Sequence, residues 1–108
     1  MRFAFRDEDI REICERSERA VNTYGTSVAK ALQSRLADLE ASERIDELPT
    51  GNPGIVPFRP FSRYKIDLVD NWQLILIADH ISKQPMLNND IDWPKINYVQ
   101  IFEISVVE

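Results

Sequence analysis

Four of the six prolines and two of the three glycines fall between residues 49 and 62, and the apolar pattern changes period across that stretch. Before it, apolar residues recur every three or four positions, as on one face of a helix. After it they alternate, as on a half-buried strand. The stretch itself reads as a shaped loop, because proline cannot donate to a central ladder and both residue types punctuate regular structure. A chain divided in this way is expected to segregate its helices from most of its strands, which is the α+β class.

The first half opens with Arg2-Phe3-Ala4-Phe5, an alternation that suits a short strand. Asp7 stands where a helix N-cap belongs, with Glu8 and Asp9 in the first turn, where the helix dipole favours acids. Ile10, Ile13, Cys14, Ser17, Val21 and Tyr24 follow at helical spacing and predict one buried stripe on one helix, closed by Gly25 in a left-handed conformation. Glu12 to Arg16 and Glu15 to Arg19 are in the favourable i,i+4 order on its wet face. Thr26 or Ser27 is expected to cap a second helix with the stripe Val28, Ala29, Leu32, Leu36 and Leu39. The short break between the two predicts an antiparallel helical hairpin. A further helical turn is expected at 43–48, stopped by Pro49.

In the second half, Tyr64, Ile66 and Leu68 alternate with Arg63, Lys65 and Asp67, predicting a strand with one wet face. Asp70-Asn71 fits a two-residue hairpin turn. Trp72 to Ala78 is apolar on both faces, as a central strand is. Residues 79–95 are expected to form a long loop. Residues 96–107 are expected to form a last strand, with Tyr98, Phe102 and Ile104 on one face and Val99 and Ile101 on the other. The expected architecture is β-α-α-β-β-β, a helical hairpin on one face of a mostly antiparallel sheet, in a single domain spanning 1–108.

At 108 residues, with 44% hydrophobic and 29% charged residues, the chain can form one packed core. Its net charge of −5 argues against a generic nucleic-acid binder. The acids are unevenly spread, however. None lies between Glu47 and Asp67, and Arg59, Arg63 and Lys65 fall in that gap, so a local positive face is compatible with an acidic chain. The opening Met1-Arg2-Phe3-Ala4-Phe5-Arg6 lacks the apolar stretch of a signal peptide, no run is long enough for a membrane helix, and the lone Cys14 fits a reducing compartment. The expected location is cytoplasmic.

Several stretches together resemble the RelE/ParE toxin superfamily, and within it the HigB-like branch of plasmid-maintenance killer toxins. They are Ile13-Cys14-Glu15, Arg35-Leu36-Ala37-Asp38-Leu39, Leu48-Pro49-x-Gly51-Asn52-Pro53, Tyr64-x-Ile66-Asp67-Leu68, Ile91-Asp92-Trp93 and Ile101-x-Glu103-Ile104. They occur in the order and at about the spacing of that family, and they argue against the gyrase-poisoning ParE-like branch. The resemblance implies the toxin of a type II toxin–antitoxin module, a metal-independent and cofactor-free endoribonuclease that cleaves mRNA on the ribosome. It also implies a cognate helix-turn-helix antitoxin as partner, with DNA reached only through that antitoxin. In such a reaction the 2′-hydroxyl attacks the adjacent phosphorus, so a base must take a proton and cations must stabilise the developing charge.

The chain departs from the family pattern where that chemistry is kept. Gly54, Pro57 and Pro60 stand where many relatives have His, Lys and Arg; Gln73 follows Trp72 where an Arg is frequent; and no Tyr or His lies in the tail Ser105-Val106-Val107-Glu108. Arg59, Arg63 and Lys65 are the remaining candidates for RNA binding and catalysis, set against a plain solvated strand face and one loop charge. His80, the only histidine, follows Asp79, which could orient it; the alternative is a surface histidine. Tyr64 is expected in the core, and Tyr98 is open to either reading. Trp93 is expected to anchor the long loop, and Cys14 to be a core residue rather than a nucleophile. A second reading of function follows from the departures: a toxin-like binding module that pairs with an antitoxin and has lost nuclease activity.

Overall fold

The computed structural model describes residues 1–79 and 84–107. Strand β1 (Arg2–Phe5) leads into three helices, α1 (Glu8–Glu15), α2 (Ser17–Tyr24) and α3 (Thr26–Ala41), and a 3-10 turn at Ile45–Glu47. Then come β2 (Gly54–Val56), β3 (Arg63–Asp67), β4 (Trp72–Ala78), β5 (Met86–Leu87), β6 (Asp90–Ile91), a 3-10 turn at Trp93–Lys95, and β7 (Tyr98–Val106). Five strands form one sheet in the order β1-β7-β4-β3-β2, and β5 and β6 form a separate hairpin. All pairings in the large sheet are antiparallel except β1 with β7. The α+β class and the helix layer over a mostly antiparallel sheet are as the two periods predict. Among the described residues, no helix is long and apolar enough to cross a membrane.

The central position of β4 follows from its composition. Leu74, Ile75, Leu76 and Ala78 are all buried, so both faces of this strand need cover and both edges need partners. The β3–β4 turn is the two-residue kind the sequence predicts. Asp70 and Asn71 both take positive φ, 55° and 64°, and the Trp72 N–H donates to the Val69 carbonyl at 3.0 Å. This backbone twist matches the twist of the flanking strands.

One face of the sheet is sealed. Tyr64 and Ile66 of β3 with Leu68 just after it, Leu74, Leu76 and Ala78 of β4, and Val99, Ile101 and Ile104 of β7 meet the helix layer. The helices contribute Ile10, Ile13 and Cys14 from α1, Ala20 from α2, and Val28, Leu32, Leu36 and Leu39 from α3. Asp7 caps α1 as expected, accepting from the Ile10 N–H at 2.9 Å. That bond is the main reason its carboxyl is held below the usual range.

Four expectations are corrected. The helix read over residues 8–24 is broken at Arg16, whose φ of −117° and ψ of 109° are extended. The break rotates α2, so Ala20 is fully buried while Val21 and Ser17 are exposed. It also redraws the ion pairs: Arg19 reaches across the break to Asp9 at 2.7 Å and Glu12 at 2.6 Å, and Arg11 pairs with Glu15. Second, no side chain caps α3; Gly25, at φ 89°, takes the N-cap position and neither Thr26 nor Ser27 does. Third, the Pro/Gly stretch includes the short edge strand β2, and residues 79–95 include the β5–β6 hairpin and a 3-10 turn.

The fourth correction concerns β7. Leu76 faces Ile101 while Ile75 faces Glu103, so Phe102 is an extra residue in the ladder. This bulge shifts the alternation: Val99 and Ile101 before it and Ile104 after it all face the core, and Phe102 turns to the other side.

Two loops are locked to each other. The Trp93 indole, 1% exposed, donates its Nε1–H to Ser62 Oγ at 2.9 Å and lies 5.1 Å from the Tyr64 ring. The Ser62 N–H donates to Asp90 Oδ1 at 2.8 Å. Trp93 is therefore the loop anchor that the sequence suggests. Gly51, at φ 89°, lies so close to β3 that an added Cβ would sit 2.5 Å from Ile66 Cγ2 and 2.9 Å from Arg35 Nε.

Candidate functional site

Among the described residues, no helix covers the second face of the sheet. The strand alternation that sends Tyr64 and Ile66 into the core sends Arg63, Lys65 and Asp67 outward. Register then sets their neighbours. Lys65 lies beside Ile75, which lies beside Glu103, and Asp67 lies beside Gln73, which lies beside Ser105. Lys65 and Glu103 thus flank Ile75 on one transverse row, two strand spacings or about 10 Å apart. The bulge in β7 brings Phe102 and Glu103, consecutive residues, to this same side.

Arg63 is the best-defined group on the face. Its guanidinium lies 3.7 Å from the centroid of the Phe58 ring and 4.5 Å from that of Phe102. The Arg6 guanidinium lies 5.2 Å from the Phe102 ring. Stacking on aromatic rings holds a guanidinium in place without neutralising it and leaves its edge donors free for an oxyanion. Lys65 is differently placed. Its Nζ donates to Asp67 Oδ1 at 3.0 Å, with only 20% of its side chain exposed. The other Asp67 oxygen accepts from Asn52 at 3.4 Å. Two shallow grooves run beside these cations. One, about 560 Å³, is bordered by Val56, Lys65, Asp67, Gln73 and Val107. The other, about 300 Å³, is bordered by Phe58, Phe61, Arg63 and Ile77.

Of the residues the sequence singles out, Arg63 and Lys65 are brought together on this face. Arg59 is exposed in the loop between β2 and β3, next to Phe58 and before the cis bond to Pro60. It has no hydrogen bond or ion pair among the described residues. His80 lies outside the described residues. Tyr64 is core, 5% exposed, and burial pushes its hydroxyl pKa up, so it is neither placed nor tuned to act as a base on the open face. Tyr98 is half-buried and alternates with the core residue Val99. Trp93 is too buried to stack on a ligand. Burial pushes the Cys14 thiol up to about 12, which keeps it protonated and unreactive.

Sequence reasoning missed Arg6, Phe58, Phe102 and Glu103. Phe102 and Glu103 had a legible signal: the apolar positions of the last strand change parity between Ile101 and Ile104, and a change of parity within one strand marks a bulge. Among the described residues, no three His, Cys, Asp or Glu side chains gather as a metal ion would require. The face offers fixed cations, stacked rings and two carboxylates, Asp67 and Glu103. Such a set can hold a phosphate and accept a proton. Compared with known proteins, the chain matches no family model, no curated protein and no solved structure.

Proposed function

We propose that the chain is the toxin of a type II toxin–antitoxin pair of the RelE/HigB kind, acting in the cytoplasm, and that the open face of its sheet receives mRNA on the ribosome. The observation that carries this reading is the clamp on Arg63, held between Phe58 and Phe102 with Arg6 and Lys65 on the same uncovered face. The frame supports it. With the short β2, β5 and β6 set aside, the remaining order is one strand, the helices, then three strands, which is what the family resemblance implies.

In this reading the Arg63 edge donors hold the scissile phosphate and Lys65 adds charge stabilisation. The 2′-hydroxyl loses its proton to Glu103 as its oxygen bonds to phosphorus. The bond from phosphorus to the 5′-oxygen breaks, leaving a cyclic 2′,3′-phosphate and a 5′-oxyanion that takes a proton from solvent to become a hydroxyl. Arg59, on the neighbouring loop, contacts the flanking RNA backbone. The partner is a helix-turn-helix antitoxin that silences the chain and carries the pair to DNA.

A second reading, a toxin-like binding module without nuclease activity, is favoured by two specific features. Lys65 is already paired with Asp67, and the buried Tyr64 faces away from the open side. Mapping new mRNA 5′ ends after brief induction of this chain in a bacterial host separates the two. Ends at fixed codon positions within translated frames support the nuclease. No new ends, with growth arrest absent and a stable antitoxin complex formed, supports the binding module.

A further inference from the structure

The two edges of the five-stranded sheet are treated differently. At one, β2 is three residues long and bounded by Pro53 and Pro57, which guard it against further pairing. At the other, β1 has no proline. The Arg2 N–H donates to the Asn97 carbonyl at 3.3 Å and the Arg6 N–H to the Ile101 carbonyl at 2.9 Å. The even-numbered residues therefore serve the parallel ladder with β7, and alternation turns the N–H and C=O groups of Phe3 and Phe5 to the free edge.

Three grooves adjoin along that edge, and Phe3 borders all of them. One, about 920 Å³, is bounded by Met1, Arg2, Glu40, Glu43 and Tyr98. A second, about 320 Å³, is bounded by Phe5, Cys14, Glu15, Leu36 and Glu40. A third, about 460 Å³, is bounded by Phe5, Asp7, Glu8 and Arg11. Their polar rim is acidic on balance: Asp7, Glu8, Glu15, Glu40 and Glu43 stand against Arg2, Arg11 and the Met1 ammonium, which donates to the Glu40 and Ser42 carbonyls. Asp7 is engaged by Arg6 and Glu15 by Arg11, but Glu8, Glu40 and Glu43 form no ion pair among the described residues.

We propose that the free edge of β1 takes up an extended, basic segment of a protein partner as an added strand. The partner's backbone bonds to the outward groups of Phe3 and Phe5, its apolar side chains enter the grooves beside those rings, and its Lys and Arg side chains meet Glu8, Glu40 and Glu43. A second copy of this chain is disfavoured as occupant, because it would set the same carboxylates against one another. The proposal does not rest on the reading of the open face.

The test uses the full chain and three fluorescent ten-residue peptides: alternating Lys and Val, alternating Glu and Val, and the Lys/Val peptide with N-methylated backbone at every second residue. Anisotropy gives affinity, and hydrogen exchange reads the Phe3 and Phe5 amides. The Lys/Val peptide is expected to bind at least about tenfold more tightly than either control, to protect both amides, and to lose about tenfold in affinity against the triple variant Glu8→Gln, Glu40→Gln, Glu43→Gln. The urea midpoint of that variant checks that it is folded. Equal binding of the acidic and basic peptides, binding that leaves the two amides unprotected, or no binding would overturn the proposal. So would protection that grows with protein concentration in the absence of peptide, which would make a second copy the occupant.

Discussion

On the covered face of the sheet, Leu74, Leu76, Val99 and Ile101 are completely buried, in one apolar cluster with residues of α1, α2 and α3. On the open face of the same sheet, β3 presents Arg63, held by two rings, and Lys65, held by one carboxylate. The covered face draws on burial, which is strong and non-directional. The open face draws on a few directional contacts that are each worth about 1 kcal/mol or less. The lesson is that one set of strands carries stability on one side and keeps its charges available on the other. Substitutions should therefore separate by face.

The largest expected effect lies under the covered face. Trp93→Ala removes a buried ring and its bond to Ser62, and should lower unfolding free energy by about 3–5 kcal/mol in urea titration. A loss under 1 kcal/mol would mean that the locked loops do not belong to the core. Next, under the proposed nuclease function, Arg63→Ala should cut mRNA cleavage about a hundredfold while lowering stability by about 1 kcal/mol. If stability and activity fell together by the same amount, the division between faces would be wrong.

Gly51→Ala forces a Cβ against Ile66 and Arg35 at positive φ, and should cost about 1–3 kcal/mol with specific activity unchanged in the folded fraction. Replacing Asp70-Asn71 by Asn-Gly suits the positive φ of both positions, and should raise stability by about 0.5 kcal/mol without altering either face.

The smallest effect is a pH dependence at Asp90. Burial raises its pKa, but hydrogen bonds from Ser62 and Ile91 outweigh this and leave it lowered. A lowered folded pKa contributes stability that is present above the unfolded value, about 4. That contribution is lost as pH falls through the folded value. Asp90→Asn should therefore narrow the gap in urea midpoint between pH 7 and pH 3.

The same contrast explains what could be read in advance. The covered face is written in local periodicity: Leu32, Leu36 and Leu39 recur at helical spacing, and Trp72 to Ala78 is apolar but for Gln73 and bounded by a turn, so both elements fall where the pattern places them. The break at Arg16 was not legible, because apolar residues continue at helical spacing across it. Strand β2 was not legible either, since three residues between prolines carry no period. On the open face, Arg63 and Lys65 followed from alternation on one strand. Their partners did not, because Phe58 and Phe102 reach Arg63 from a loop and from a strand 39 residues further on, and such contacts leave no local pattern.

The proposed division of labour between faces is tested most directly by site-specific photocrosslinking from two positions in chain incubated with translating ribosomes. One probe replaces Gln73 on the open face, and the other replaces Lys30 on the exposed side of α3. Crosslinks to mRNA from position 73 and none from position 30 are the predicted result. Crosslinks from position 30 alone, or from neither position, would contradict the account.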